Sequence, residues 1–253
     1  MCNDIELLCD LAKAKHDMMK HKPFKFFMKA FLAGAYLGVA AILSYTLGAL
    51  LVDYGPLSKI AVAGSFGIGL VAIVFLGAEL FTGNCFTTIM PVYKGQMKFR
   101  DILPMWIVCY VGNIVGISFI CFLFIISGAQ SKIMGPYLES LVTAKLDFQI
   151  FELFIKAILC NFIVCIASYS GSKIKNETSK LIMIMVFVMA FVLPGFEHCI
   201  ANGGIFTMAI TQLGSAVNWS MLPLHMLIST IGNIIGGSVL LALSVFIVFN
   251  EKN

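Results

Sequence analysis

The sequence predicts an all-α membrane protein with six transmembrane helices, arranged as an inverted repeat of three. Three observations predict this fold class. The 253 residues are 60% hydrophobic and only 12% charged, whereas a soluble domain is about half apolar and a quarter charged. Long stretches carry no charge, and two polar breaks in them recur roughly 120 residues apart along the chain. A water-soluble globular protein, a disordered chain and a coiled coil are therefore excluded.

The chain divides into a polar N-terminal segment, residues 1–28, and a single transmembrane domain, residues 29–250, with halves at about 29–130 and 147–250. Six spans of roughly 20 residues leave no room for a second, soluble domain. The first segment has mixed charge, unlike a signal peptide. Its apolar residues recur at helical spacing: Ile5, Leu8, Ala12 and Met19. This spacing predicts an amphipathic helix that lies on the cytoplasmic membrane surface, with a flap that gates a pore as the alternative.

Six stretches are long and apolar enough to cross about 30 Å of hydrocarbon. They cover about residues 30–52, 60–93, 102–128, 148–171, 181–213 and 224–249. With six crossings, both ends of the chain lie on one side of the membrane. Thirteen of the 17 lysines and arginines fall on that side. The positive-inside rule therefore predicts a multi-pass protein of the cytoplasmic membrane with both termini in the cytoplasm.

The second and fifth stretches are too long for one straight helix, and each is interrupted by polar and flexible residues. The second breaks at residues 79–84, and the fifth breaks at Pro194-Gly195, at Glu197-His198 and again at residues 202–204. Proline removes a backbone donor and glycine loosens a turn. Unwound backbone at membrane depth persists only where protein or a water-lined cavity satisfies it. We therefore predict two broken helices that meet near the membrane midplane.

The two breaks belong to an internal repeat. The pattern G-x-E-x4-N begins at Gly77 and again at Gly195, and the pattern G-N-I-x-G begins at Gly112 and again at Gly232. Chance is the alternative explanation, because these residues are common in membrane helices. A unit of three spans crosses the membrane an odd number of times, so the second unit would begin on the opposite side of the membrane. The two units would then form an inverted repeat. In this alignment His198 has no counterpart imidazole in the first half.

Ionisable groups within apolar stretches are the first functional candidates, because charge is costly inside a membrane. His198 leads, since an imidazole donates a hydrogen bond or a proton near neutral pH; a satisfied core histidine is the alternative. Thr82 and Asn161 could face it, or could simply bridge helices. We expect the two glutamates at the breaks to accept hydrogen bonds from free backbone N–H groups, with substrate contact as the alternative. The residues predicted to support the breaks are Glu79, Asn84, Glu197 and Asn202.

Other kinds of site lack a signature. Lys156 lies within the fourth stretch, and His225 is expected at the membrane interface without a role. Glu197, His198 and Cys199 are consecutive and would point in different directions on a helix. There is no H-E-x-x-H, no G-x-S-x-G and no C-x-x-C. We predict no enzymatic activity, no metal, no cofactor and no nucleic-acid partner.

The residues 77–84, 159–161 and 194–202 together resemble the formate/nitrite transporter family, and within it most closely the hydrosulfide channel branch. The resemblance covers residues from about 20 to 250. It implies an aquaporin-like fold and a homopentamer in which each subunit has its own pore. It also implies substrates that are small monovalent anions, namely formate, nitrite or hydrosulfide. The loop at the first break would cover about residues 80–84.

The resemblance also implies roles for particular residues. The family's central histidine falls on His198, and its partners fall on Thr82 and Asn161. The apolar constrictions of the pore fall on Phe66, Leu70, Leu80 and Phe191. The basic residues of the outer vestibule fall on Lys145 and Lys156.

These features suggest a transport mechanism. Lysines at the mouth would concentrate the anion, and His198 would hydrogen-bond or protonate it between two apolar constrictions. The best substrate is a weak acid such as hydrosulfide, because its protonation is cheap near neutral pH. A proton-coupled secondary transporter of formate or nitrite and a neutral-solute pore are the rival interpretations. The sequence does not distinguish them.

Overall fold

The computed structural model describes residues 2–250, without the side chains of Cys2, Asn3, Asp4 and Ser131; the C-terminal tail that entered the charge count lies outside the described residues. Every regular element in this range is helical. The helices are α1 (Cys2–His21), α2 (Pro23–Leu50), α3 (Pro56–Phe75), α4 (Phe81–Thr87), α5 (Met90–Tyr93), α6 (Phe99–Ile126), α7 (Ser131–Leu146), α8 (Ile150–Lys173), α9 (Glu177–Val192), α10 (Cys199–Leu213), α11 (Leu222–Ile234), a π-helical stretch (Ile235–Leu243) and α12 (Ser244–Phe249).

Within the described residues, five helices are long and apolar enough to cross a membrane: α2, α3, α6, α8 and the continuous helix Leu222–Phe249. The stretch at 181–213, predicted as one crossing by a broken helix, is divided between α9, of 16 residues, and α10, of 15 residues. Neither helix alone spans about 30 Å of hydrocarbon. The first long helix begins at Pro23 rather than near residue 30, because proline suits the first turn of a helix.

The first helix interruption lies a few residues earlier than predicted, whereas the second covers the predicted breaks at Pro194-Gly195 and Glu197-His198 but not the one at residues 202–204. α3 ends at Phe75 and α4 begins at Phe81, so residues 82–84 are helical and the connecting segment is 76–80. α9 ends at Val192 and α10 begins at Cys199, so residues 202–204 are also helical. Gly77 and Gly195 have positive φ angles of 67° and 78°. A left-handed residue ends a helix, and glycine adopts that conformation without a steric penalty.

Two amphipathic helices precede the long helices α2 and α8. The side chains of Ile5, Leu8 and Ala12 on α1 are buried in the protein core. The expectation that they anchor α1 to the membrane was therefore wrong, because α1 packs on α2 and α5 instead. α7 was not predicted from the sequence, and it packs on α10 through its apolar face. The buried residues of α7 are Met134, Leu138 and Val142.

Glycines set the distance between the long helices. A Cβ placed on Gly116 of α6 would lie 2.0 Å from the carbonyl oxygen of Phe31 on α2. A Cβ placed on Gly236 would lie 2.1 Å from the carbonyl oxygen of Ile158 on α8. These contacts are backbone atoms, which cannot move as a side chain does. Close helix approach through small residues is the usual packing mode in a membrane.

We expect Gly236→Ala to lower the stability of the folded protein by about 1–3 kcal/mol, because the added methyl group forces two backbones apart. The measurement is the midpoint of thermal unfolding of the purified protein in detergent. Gly64→Ala is the matched control, because no atom lies within 4 Å of a Cβ at this position. Equal midpoints for the two variants would contradict the packing argument.

Candidate functional site

The two interruptions are held by equivalent asparagines. The backbone N–H of Phe81 donates to Asn113 Oδ1 at 2.8 Å, and Asn113 Nδ2 donates to the carbonyl oxygens of Ala30 and Glu79. The backbone N–H of Cys199 donates in the same way to the second asparagine, Asn233, at 2.9 Å. Asn233 Nδ2 donates to the carbonyl oxygens of residues 157 and 197. Each asparagine thus pairs two backbone groups that the interruption leaves unsatisfied, one N–H and one carbonyl, and also binds a carbonyl oxygen within the neighbouring long helix.

The carboxylates at the interruptions bind side chains rather than backbone. Glu79 Oε2 accepts from Lys15 Nζ at 2.6 Å and from Asn84 Nδ2 at 3.2 Å. The prediction that glutamates satisfy the backbone was therefore wrong, since the asparagines described above do so. The second carboxylate has the same arrangement: Glu197 Oε2 accepts from Lys145 Nζ at 2.6 Å and from Asn202 Nδ2 at 2.9 Å.

His198 lies at the start of α10, where its side chain caps the helix. The backbone N–H of Ala201 donates to His198 Nδ1 at 3.2 Å. Nδ1 therefore carries no proton, and in the neutral ring the proton is on Nε2. Nε2 lies 3.1 Å from Thr82 Oγ1, to which it donates. The fold thus fixes one tautomer of the histidine and presents its N–H to Thr82.

Asn161 lies behind this pair rather than against the imidazole. Its Nδ2 donates to the carbonyl oxygens of Asn233 at 2.6 Å and of Thr82 at 3.2 Å. Cys165 Sγ donates to the same carbonyl of Thr82 at 3.3 Å. Asn161 therefore positions the backbone that carries Thr82, and the structure does not bring the amide into contact with His198.

The four residues predicted as constrictions surround one narrow cavity of about 10 Å³ next to His198. This volume is at the lower limit for a single water molecule. The rings of Phe191 and His198 are stacked, with centroids 6.1 Å apart. The complete lining of this narrow cavity is Leu37, Phe66, Leu70, Leu80, Val164, Val188, Phe191 and His198.

A wide cavity of about 570 Å³ lies on the other side of Phe66, Phe191 and His198, which line both spaces. Lys145 and Lys156 line the wide cavity, where Lys145 pairs with Glu197 and Lys156 lies 3.8 Å from a carboxylate oxygen of Glu152. The Lys156 side chain is 47% exposed, so this lysine is not buried within a helix bundle. The two lysines and the histidine thus share one continuous lining.

Comparison with known proteins decides the family. A sequence profile described as "Formate/nitrite transporter" matches residues 5–247. The chain belongs to the formate/nitrite transporter family. It is 32% identical to the formate channel FocA of Escherichia coli strain K12, over 99% of this chain and 98% of that protein.

Solved structures of this family share the fold. An FNT family ion channel superposes with a TM-score of 0.91 at 26% identity, over 98% of this chain and 99% of that chain. A pentameric formate channel with formate bound superposes with a TM-score of 0.76 at 24% identity, over 90% and 98%. The chain is therefore an all-helical membrane protein with the fold of these channels, and the prediction of the family is confirmed.

Several residues of this formate/nitrite transporter family member escaped the sequence analysis. Asn113 and Asn233 were noticed only as parts of a repeat, although a buried asparagine that recurs in two apolar helices is itself a signal of a polar bridge. No sequence pattern indicated that Lys15 forms an ion pair, because its partner Glu79 lies 64 residues away in the sequence. His225 was expected at the interface but is fully buried and lines the wide cavity.

The N-terminal helix of this family member also carries exposed polar contacts. Lys94 donates to the Glu6 carboxylate, and this hydrogen bond holds the pKa of Glu6 below its usual range. Burial raises the pKa of the Cys9 thiol on the same helix. Together with Lys15, these contacts attach α1 to the segment between α3 and α6. Within the described residues, no group of three metal-ligating side chains occurs.

Proposed function

We propose that this protein is a channel for small monovalent weak-acid anions in the cytoplasmic membrane, with hydrosulfide as the first candidate and formate and nitrite as the others. One observation carries the proposal. A single imidazole N–H, on His198, borders a narrow apolar cavity that adjoins a wide cavity lined by lysines. The formate channels among the relatives support the same class of substrate.

The proposed topology has six crossings in an inverted three-helix repeat, with helices two and five broken. The pairing of Asn113 with Phe81 and of Asn233 with Cys199 supports it, because equivalent bonds recur in the two halves. Both termini would lie in the cytoplasm by the positive-inside rule. We further propose a homopentamer, by analogy with the pentameric formate channel, with one pathway in each subunit.

The proposed mechanism begins in the wide cavity. Lysine ammonium groups in its lining can pair with the anion and so offset part of the free-energy cost of its lost hydration. The anion then takes a proton from hydronium, leaving water, and enters the narrow cavity as a neutral acid. Phe66, Leu70, Leu80 and Phe191 exclude water and hydrated cations from that cavity.

His198 then acts as a hydrogen-bond donor. Because Nδ1 accepts from Ala201 N–H, the imidazolium form would turn two donors toward each other. The neutral ring is therefore favoured, and it cannot release the Nε2 proton at moderate pH. Its N–H would stabilise partial negative charge on the substrate as the substrate passes Thr82.

Protonation cost sets the selectivity. Each pH unit above the pKa of the acid adds about 1.36 kcal/mol to the free energy needed to protonate the anion before it crosses as the neutral acid. Hydrosulfide titrates near neutral pH, so it crosses at low cost, formate and nitrite cost more, and chloride cannot use this route.

A proton-coupled secondary transporter of formate or nitrite would use the same histidine and would saturate with substrate. A neutral-solute pore would conduct water or glycerol without pH dependence. The similarity to a formate channel over nearly the whole chain favours the anion channel over the neutral pore. Transport rather than catalysis is the expected activity, as in the family.

The test is flux into proteoliposomes that contain the purified protein. We expect hydrosulfide, formate and nitrite to enter at rates that rise as the pH falls from about 8 to 5, while chloride does not enter. Protein-free liposomes measure the unassisted leak of each neutral acid. Flux of water or glycerol without anion flux would replace the proposal by the neutral pore, and dependence on an imposed proton gradient with saturation would favour the secondary transporter.

A further inference from the structure

His225 is a buried imidazole whose ring nitrogens lack hydrogen-bond partners among the described residues. Its exposed fraction is 0%. The rings of Phe148 and Phe206 stand nearly perpendicular to it, with centroids 5.3 Å away. A buried polar group without a partner is costly, and native proteins seldom leave one unless it serves a ligand or a proton.

The nearest charged group is the carboxylate that already binds a lysine. His225 Nε2 lies 3.8 Å from Glu197 Oε2, beyond hydrogen-bond distance but within reach of a small ring rotation. The same oxygen accepts from Lys145 Nζ at 2.6 Å. Glu197 is therefore shared between a permanent cation and a group that becomes a cation when protonated.

The charge of the wide cavity is balanced without His225. Its described lining includes three lysines and three carboxylates, so their formal charges cancel. The charged and titratable groups that line the wide cavity with His225 are Tyr45 on α2, Lys59 on α3, Tyr137 and Lys145 on α7, Asp147 before α8, Glu152 and Lys156 on α8, and Glu197 and His198 before α10. A proton on His225 would give this lining a surplus positive charge.

We propose that Lys145, Glu197 and His225 form a proton-operated anion site in the wide cavity. A proton on His225 lets the imidazolium pair with the Glu197 carboxylate, which releases the Lys145 ammonium to bind a small monovalent anion. A proton and an anion therefore bind together, and the positive surplus is neutralised by the anion itself. This inference rests on the proposed anion transport and assigns a loading site to it, separate from the N–H of His198.

The experiment measures the KM for formate in proteoliposomes with the same pH inside and outside, at pH 5.5 and 7.5, so that orientation does not matter. An ordinary histidine changes from mostly charged to mostly neutral over this range, about a tenfold change in the charged fraction. We expect the ratio of the two KM values to be about three- to tenfold larger in the wild type than in His225→Gln. His21→Gln is the control and should retain the wild-type ratio, because His21 lies at the exposed end of α1.

Equal ratios in the wild type and in His225→Gln would overturn the inference while leaving the proposed function in place. No formate flux in the wild type at either pH would remove both. If His225→Gln does not assemble, the proton uptake that accompanies chloride binding to the purified protein provides the test, because chloride itself takes no proton. At pH 6.5 we expect uptake in the wild type and in His198→Asn alike; no uptake in the wild type, or uptake that is lost in His198→Asn, would overturn the inference.

Discussion

Replacing His198 with asparagine is expected to reduce hydrosulfide and formate flux about 2- to 12-fold, because a hydrogen bond between neutral groups is worth about 0.5–1.5 kcal/mol. The fold should survive the change. Asparagine is a favoured helix N-cap, so its side-chain oxygen can replace Nδ1 as the acceptor for Ala201 N–H. Its shorter side chain does not reach Thr82 as the imidazole Nε2 does. The variant therefore removes the donor and keeps the cap.

Initial flux rates in proteoliposomes, at matched protein content, measure this effect. His21→Gln is the control, since it removes an imidazole far from both cavities. Flux through His198→Asn at the wild-type rate would show that the imidazole N–H does not contribute to permeation. A variant that passes chloride as well would instead indicate that the histidine excludes permanent anions.

Replacing Asn113 or Asn233 with alanine is expected to destabilise the protein by about 2–6 kcal/mol, because two buried backbone groups at the interruption lose their partners and each costs about 1–3 kcal/mol. Asn113→Ala leaves the N–H of Phe81 and the carbonyls of Ala30 and Glu79 without these partners. Asn233→Ala has the same consequence at the second interruption. We expect little folded protein from either variant.

The yield of monodisperse protein in detergent and the midpoint of its thermal unfolding measure the effect. Asn176→Ala is the matched control, because Asn176 caps α9 at an exposed position through one bond to Ser179 N–H. Loss of such a cap costs about 1 kcal/mol. Similar losses for buried and exposed asparagines would contradict the role assigned to the pair.

Much of the site was predictable because its residues belong to short sequence patterns. His198 was identified from the adjacent ionisable residues Glu197 and His198 inside an apolar stretch, and the structure brings His198 to Thr82. The constriction residues came from resemblance, and they do share one cavity. The first interruption was misplaced by several residues, because the positive φ of Gly77 ends α3 before the polar residues begin. At the second interruption only residues 202–204 were wrongly predicted as a break.

Contacts between distant segments could not be predicted in this way. Lys15 meets Glu79 only because α1 folds back on the bundle, and Lys145 meets Glu197 only because α7 packs against α10. The sequence predicts that a lysine in an amphipathic helix faces solvent, whether or not a carboxylate from another helix lies beside it in the folded protein. The same holds for His225, whose position near the end of an apolar stretch indicated the interface rather than a buried site.

The sequence by itself determined the membrane character, the helical class and the family, because apolar length, charge placement and short motifs are properties of neighbouring residues. Only the tertiary structure decided which side chain satisfies each interrupted helix, which tautomer His198 adopts and which residues share the two cavities. These outcomes depend on hydrogen bonds a few ångströms long between residues 30 to 120 positions apart. Such distances are set by how whole helices pack.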